Sequence, residues 1–443
     1  MRSLTLMLLL LSAVAWAPAV RAQQGDRAAP AVRAQQGDRA WHDCLQSQDR
    51  DRSLTGCSEI LGRGNLEAAA NRAIAFYIRG DAHRARGNLD AAIRDYDEAI
   101  RLNPHYPLIF IDRGIAHHER GNLDLAIRDY DQAIRLNPLM PRAFIERGIA
   151  HHARGDLDAA MRDYDEGIRL NPSDAAAAEA FFNRGLTHRE RGNLDAAIRD
   201  YDEAIRLNPR DAEVFFNRGL AHRERGSLDA AIQDYDEAIR LNPSYATAYV
   251  NRGNAHRDRG NFEAAIRDYD EAIRLIPRDA YAFGNRGAAH HNRGNLEAAI
   301  RDYDQAIRLN PRNAVTFHNR GLAHRVRGNL DMAIRDFDEA IHLDPRWAMA
   351  FNNRGVAHHN RGNLDAALRD YNEAISLDPL EALAFSNRGL VYERRGNLGR
   401  AAADFREALR LGHAQAKANL DRVEAALAAE RRPARPGNQP TRP

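Results

Sequence analysis

Cysteine is almost missing: 443 residues contain two, Cys44 and Cys57. They form no Cys-x-x-Cys pair and have no basic cluster beside them, which argues against a reactive thiol couple. Nucleophile elbow, phosphate loop and zinc motif are all lacking, and no stretch is left over for a catalytic domain. The recurring acids of "RDYDEA" stand two apart on a helical pattern and lack the glycine turn of a calcium loop. Charge of one sign is lacking too: 64 basic residues face 62 acidic ones, a net charge of +2. A nucleic-acid footprint would concentrate Lys and Arg on one face, so no nucleic-acid partner is expected. Long apolar runs are confined to the first twenty or so residues. The composition predicts neither a metal nor a cofactor.

The start, "MRSLTLMLLLLSAVAWAPAVRAQQ", has one arginine, an apolar run and then Val20-Arg21-Ala22. This pattern predicts a secretory signal peptide over 1–22. Pro18 and Arg21 cut the run below the ~20 residues of a spanning helix, so no membrane span is expected after cleavage. "APAVRAQQGDRA" at 17–28 recurs letter for letter at 29–40, which makes 23–38 a linker with Gln23 or Gln35 as the mature start. A periplasmic or secreted location follows as an expectation. In an oxidising compartment Cys44 and Cys57 are expected to pair, clamping a degenerate helical pair over 39–72. Closing that loop is worth roughly 3 kcal/mol in the chain-entropy model.

What the sequence has in abundance is repetition. "FFNRGLAHRERGSLDAAIQDYDEAIRLNP" at 215–243 returns with small changes along the chain. The glycine after the arginine marks ten repeats: Gly80, Gly114, Gly148, Gly185, Gly219, Gly253, Gly287, Gly321, Gly355 and Gly389. The period is 34 residues, except for 37 between Gly148 and Gly185, where "SDAAAAEA" reads as a loop absorbing three more. Such a period means stacked units that share a continuous core. In repeat five, counted from 212 so that Gly219 is position 8, the first helix (helix A) ends before Gly226, suited to a left-handed turn. Ser227, or Asn in most other repeats, is placed to cap the second helix (helix B). Leu228, Ala231, Ile232, Tyr235, Ala238 and Ile239 form the apolar stripe of helix B, and Asn242-Pro243 ends it.

Phe215 at position 4, Gly219 at 8, Ala231 at 20, Tyr235 at 24, Ala238 at 27 and Pro243 at 32 resemble the tetratricopeptide repeat family. Departures are Arg at position 7, His at 11 in nine repeats, Gly167 for Ala and His413 for the last Pro. The resemblance implies an all-α fold, an α-α superhelix of ten helix pairs over 73–415. "AQAKANLDRVEAALAAERR" then supplies a capping helix over 416–431, and the proline-rich 432–443 reads as a disordered tail.

Comparing the repeats divides helix A. Positions 2, 5, 9, 12 and 13 vary freely and share one side at helical spacing; the resemblance places that side on a concave groove. Position 6 belongs there too, yet it is Asn183, Asn217, Asn251, Asn285, Asn319, Asn353 and Asn387. Asparagine is a poor helix-interior residue, and its amide can grip a peptide N–H and C=O together. The row is similar to the asparagine ladder of protein O-GlcNAc transferases, which implies binding of extended backbone. The alternative is that each amide bonds the neighbouring repeat. In the earlier repeats Ile111, Ile115, Ile145, Ile149, Phe182, Leu186, Phe216 and Leu220 give an apolar groove for a ligand's side chains.

Arg218 and its equivalents have Asp234 at position 23 as a pairing partner, or an anion to recognise. The position 11 histidines belong to different stacked repeats, too far apart to share one metal ion, and read as seam residues. The resulting expectation is a non-catalytic scaffold that holds an extended polypeptide. The alternative is a structural subunit of an envelope secretion or polysaccharide-export complex.

Overall fold

The computed structural model describes residues 38–430 apart from Ser47. The expected signal peptide, the linker up to Asp38 and the tail 432–443 lie outside the described residues. Twenty-three α-helices and a 3₁₀ turn at Gly64–Leu66 make up the fold, with no strand among the described residues. The all-α reading of tandem helix pairs holds.

Repeat five shows how the sequence builds a pair. Helix A (Ala212–Glu224) stops because Gly226 adopts φ 85°. The Gly226 N–H then donates to the Arg223 carbonyl at 2.9 Å and the Ser227 N–H to the His222 carbonyl at 2.8 Å, satisfying the last turn. Helix B (Leu228–Leu241) returns along helix A and buries Ala231, Ile232, Tyr235 and Ala238. Gly219 is favoured for a specific reason: a Cβ there would stand 2.7 Å from Cε1 of the buried Tyr235 ring. The tyrosine ring, and not the small Ala231 opposite, fills that space. Asparagine caps helix B only in part: Asn261 and Asn295 accept from the backbone three residues on, and Asn193 does not.

The three-residue insertion is not a loop. Asp174 accepts from the Ala177 N–H at 2.9 Å and starts a 16-residue helix A, Ala175–Glu190, where repeat five has 13 residues. Alanine has the highest helix propensity, so the extra residues are added to the helix.

The chain divides into two compact units at Leu241/Asn242, inside the array. In the first, the helices Arg39–Cys44 and Arg50–Gly62 are joined by the Cys44–Cys57 disulfide. They approach so closely that a Cβ on Gly56 would lie 2.5 Å from the Ala40 carbonyl oxygen. Trp41, Ile60 and both cysteines pack against Ala75 of repeat one. Five repeats follow, and within the unit one repeat helps to complete the core of another: Ala143 and Ala150 of repeat three close on Phe110, Ile111 and Tyr130 of repeat two. The second unit holds repeats six to ten, then the helix Ala416–Glu430. Its Ala416, Leu420 and Val423 cover Ala401, Ala402 and Phe405, and Arg422 grips Glu393 with two 2.7 Å bonds.

Candidate binding face

Within each unit the A helices of successive repeats touch one another as well as their own B helices. They therefore form a continuous face. What it can present depends on which side chains are already engaged.

Position 7 is fully engaged. The Arg218 guanidinium gives Nη2 to Asp234 Oδ1 at 2.6 Å in its own repeat and Nη1 to Asp202 Oδ1 of the preceding repeat at 2.5 Å. It also lies over the Phe215 ring, 5.5 Å from the centroid. The same bridge recurs as Arg113, Arg147 and Arg184 in the first unit and as Arg286, Arg320 and Arg354 in the second. Desolvation lowers the Arg218 pKa, but hydrogen bonds to Asp234 and Asp202 outweigh it and the group stays charged. The pairing with position 23 was legible in the sequence. The bond to the preceding repeat was not, although the second acid of "RDYD" carries it. Position 11 lies beside this bridge: His222 Nε2 is 3.8 Å from Asp234 Oδ2, and desolvation keeps the ring below the usual histidine value, hence neutral at pH 7. Among the described residues no cluster of three or more His, Cys, Asp or Glu could hold a metal ion.

The asparagine row does not act uniformly. Asn183, Asn217 and Asn251 each donate Nδ2 to the carbonyl four residues back at 2.9 Å, the usual local bond of a polar side chain inside a helix. Four amides meet the preceding repeat, as the alternative reading has it. Asn217 and Asn285 accept from Arg189 and Arg257 at 2.9 and 3.2 Å. Asn353 Nδ2 stands 2.9 Å from His318 Nε2, and Asn387 donates to Asn352 at 3.0 Å. Asn319 is half-buried. Polar capacity remains at the Oδ1 atoms of Asn183 and Asn251; Asn285 offers none, because its Oδ1 accepts from Arg257 and its Nδ2 is buried.

The apolar residues need correction. Ile111, Ile145 and Phe216 are buried between helices and offer no surface to a ligand. Position 5 varies because successive repeats solve the same packing problem differently, not because it faces solvent. Ile115, Ile149, Phe182, Leu186 and Leu220 stay half-buried on the face. The exposed row is at position 2 of repeats seven to ten: Tyr281, Val315, Met349 and Leu383, exposed by 60, 54, 48 and 48%. Each stands at the start of an A helix, Ala280–Asn292, Ala314–Val326, Ala348–Asn360 and Ala382–Arg394. Its sequence signal is an apolar residue recurring at a freely varying position.

In the first unit the same face is acidic and crowded. Buried Asp112 accepts from Tyr77 Oη at 2.6 Å and Arg142 Nη2 at 3.0 Å, and Arg142 Nε is 3.6 Å from Glu146. Surrounding protein desolvates Glu179 although part of it meets solvent; with the Glu146 charge nearby, its carboxyl is pushed up to about 7.

No helix among the described residues is long and apolar enough to cross a membrane. No curated protein matches the chain. Among solved structures it is similar to MamA, at 27% identity over 37% of this chain and 96% of the other, TM-score 0.35. It is similar to YrrB, described as a TPR protein with an unusual peptide-binding site, at 27% identity over 42% and 95%, TM-score 0.36. A tetratricopeptide repeat protein from Parabacteroides merdae aligns at 21% identity over 57% and 98%, TM-score 0.47. Residues 111–175, 182–246 and 250–314 match a family model described as tetratricopeptide repeat; 80–121 and 348–379 match two more models of such repeats. Arrays of these repeats are scaffolds for protein–protein interaction. With ten repeats in register and the matched segments spanning more than half of its length, the chain belongs to the tetratricopeptide repeat family.

Proposed function

We propose that the protein is an exported, non-catalytic scaffold that holds an extended polypeptide along the A-helix face. The observation that carries this reading is the row Tyr281, Val315, Met349 and Leu383: four exposed apolar side chains at one position of four successive repeats. Neighbouring helices pack ~10 Å apart and an extended chain rises ~3.3 Å per residue. A bound segment would therefore bring about every third residue to this row. In the same unit the Oδ1 atom of Asn251, whose Nδ2 is engaged by its own helix, offers a backbone contact of the kind an extended segment needs. Export is supported by the leader-like first 22 residues and by the Cys44–Cys57 bridge, which suits an oxidising compartment.

The test is a selection of phage-displayed random dodecapeptides on the purified protein. Wild type should enrich peptides with apolar residues at regular spacing. A variant with Tyr281, Val315, Met349 and Leu383 all changed to Ser should lose that enrichment while melting like wild type, because these side chains are exposed. Equal enrichment by both proteins would refute the reading.

A further inference from the structure

On the acidic face of the first unit the cations are already committed. Arg84 donates to Glu119 at 2.8 Å and Arg142 to Asp112 at 3.0 Å, with Glu146 at 3.6 Å from Arg142. Glu179 and Glu213 follow at position 2 of repeats four and five, and neither side chain forms an ion pair among the described residues. In no other repeat is position 2 a carboxylate. Glu179 is exposed and Glu213 half-buried, so both carboxylates can be reached from solvent. Desolvation still raises both above the usual glutamate value, helped by the Glu146 charge at Glu179 and the Asp211 charge at Glu213. Beneath the same face the fully buried Tyr130 hydroxyl has no hydrogen-bond partner, and Glu146 is the charge that acts on it most. Glu146 leaves this internal donor unused, so the excess of carboxylates is not relieved from within. A desolvated charge without a counter-charge is costly, and an arriving cation recovers that cost.

The surroundings favour one kind of cation. No cluster of the described His, Cys, Asp and Glu residues could hold a metal ion. Asn183 Oδ1, left open because Nδ2 bonds the Glu179 carbonyl, adds an acceptor one turn from the Glu179 side chain, which suits a donor-rich head group. Half-buried Phe182, Leu186 and Leu220 stand on the same two helices and can cover the alkyl stem of a long side chain. These helices, Ala175–Glu190 and Ala212–Glu224, touch each other, and ~10 Å between packed helices matches about three residues of extended chain. We propose that Glu179 and Glu213 receive two Arg or Lys side chains, about three residues apart, of a partner segment lying along the A-helix face. Resting on the face reading above, this inference adds a partner chemistry specific to repeats four and five: a basic pair.

The dodecapeptide selection on the full protein separates the two ideas. Besides the apolar class, wild type should enrich a class of peptides with Arg or Lys residues about three apart. In a synthetic peptide of that class, changing one basic residue to Gln should weaken Kd about tenfold, as for one charge-assisted hydrogen bond. Glu179→Gln combined with Glu213→Gln should remove the basic class and keep the apolar one, which also reports that the variant is folded. Glu179→Asp combined with Glu213→Asp should keep both classes. Apolar enrichment by wild type without a basic class, a Kd change below about twofold, or a basic class that survives the Gln variant overturns this inference and leaves the face reading standing. Failure of wild type to enrich any peptide overturns both.

Discussion

The two aspartates that share Arg218 differ in what they contribute. The Asp234 side chain is 6% exposed, the Asp202 side chain 53%. Removing one partner of a fully buried ion pair costs about 3–5 kcal/mol. Arg218 retains some solvent contact and a second acid, so Asp234→Asn is expected to cost about 2–3 kcal/mol. Asp202→Asn should cost less than about 1 kcal/mol, as for exposed pairs, and repeat nine already carries that change: Arg388 Nη1 meets Asn372 Oδ1 at 2.6 Å. In 1 M NaCl the small Asp202 effect should disappear and most of the Asp234 effect remain, because screening reaches exposed charges first. Repeat arrays do not unfold as one unit, so the assay is native-state hydrogen exchange in helices 194–207 and 228–241 rather than a single melting temperature. Equal loss of protection in the two variants, or a larger loss for Asp202→Asn, would refute the assignment of buried and exposed roles.

Gly219→Ala would push a methyl against the Tyr235 ring; overpacking of ~1–3 kcal/mol against a helix-propensity gain of ~1 predicts a small net loss in urea unfolding. Tyr235→Phe should be neutral or mildly stabilising, since its buried hydroxyl has no partner and Phe337 and Phe405 occupy the same site elsewhere. His318 is buried against Trp347, and burial holds its pKa at about 4 instead of 6.5. The neutral ring stabilises the fold fully above pH 6.5, and that contribution, roughly 3 kcal/mol, is lost as pH falls towards 4. His318→Asn, which copies Asn352 of repeat nine, should therefore flatten the stability profile of repeat eight between pH 6.5 and 4, read by hydrogen exchange. Replacing Cys44 and Cys57 with Ala should cost the N-terminal pair up to ~3 kcal/mol, seen as faster limited proteolysis before residue 67, with repeats six to ten unaffected.

The period, the helix pairs and the turn glycines were legible because each repeats a local rule: apolar spacing, a left-handed glycine, a proline stop. The face was less legible for a geometric reason. At ~100° per residue, position 5 lies about 60° from position 2, enough to carry Ile111, Ile145 and Phe216 off the open side and bury them. Variation among repeats marks both positions equally, so it cannot separate a solvent-facing site from one packed against a changing neighbour. The asparagines mislead similarly: recurrence shows that position 6 has a role, but Asn217 and Asn353 spend it on Arg189 and His318.

Apart from Arg184, the bridging arginines named above reach sixteen residues forward and sixteen back, as Arg320 does to Asp336 and Asp304. A joint built this way does not register how many modules precede it. Excising residues 280–313 would set Arg320 opposite Asp270, the same residue type at the same offset, and the seam would close. The register is not rigid in number, since Arg184 spans nineteen residues back to Asp165 by lengthening a helix. Gain or loss of whole modules can therefore change the reach of the molecule without a new kind of junction having to evolve.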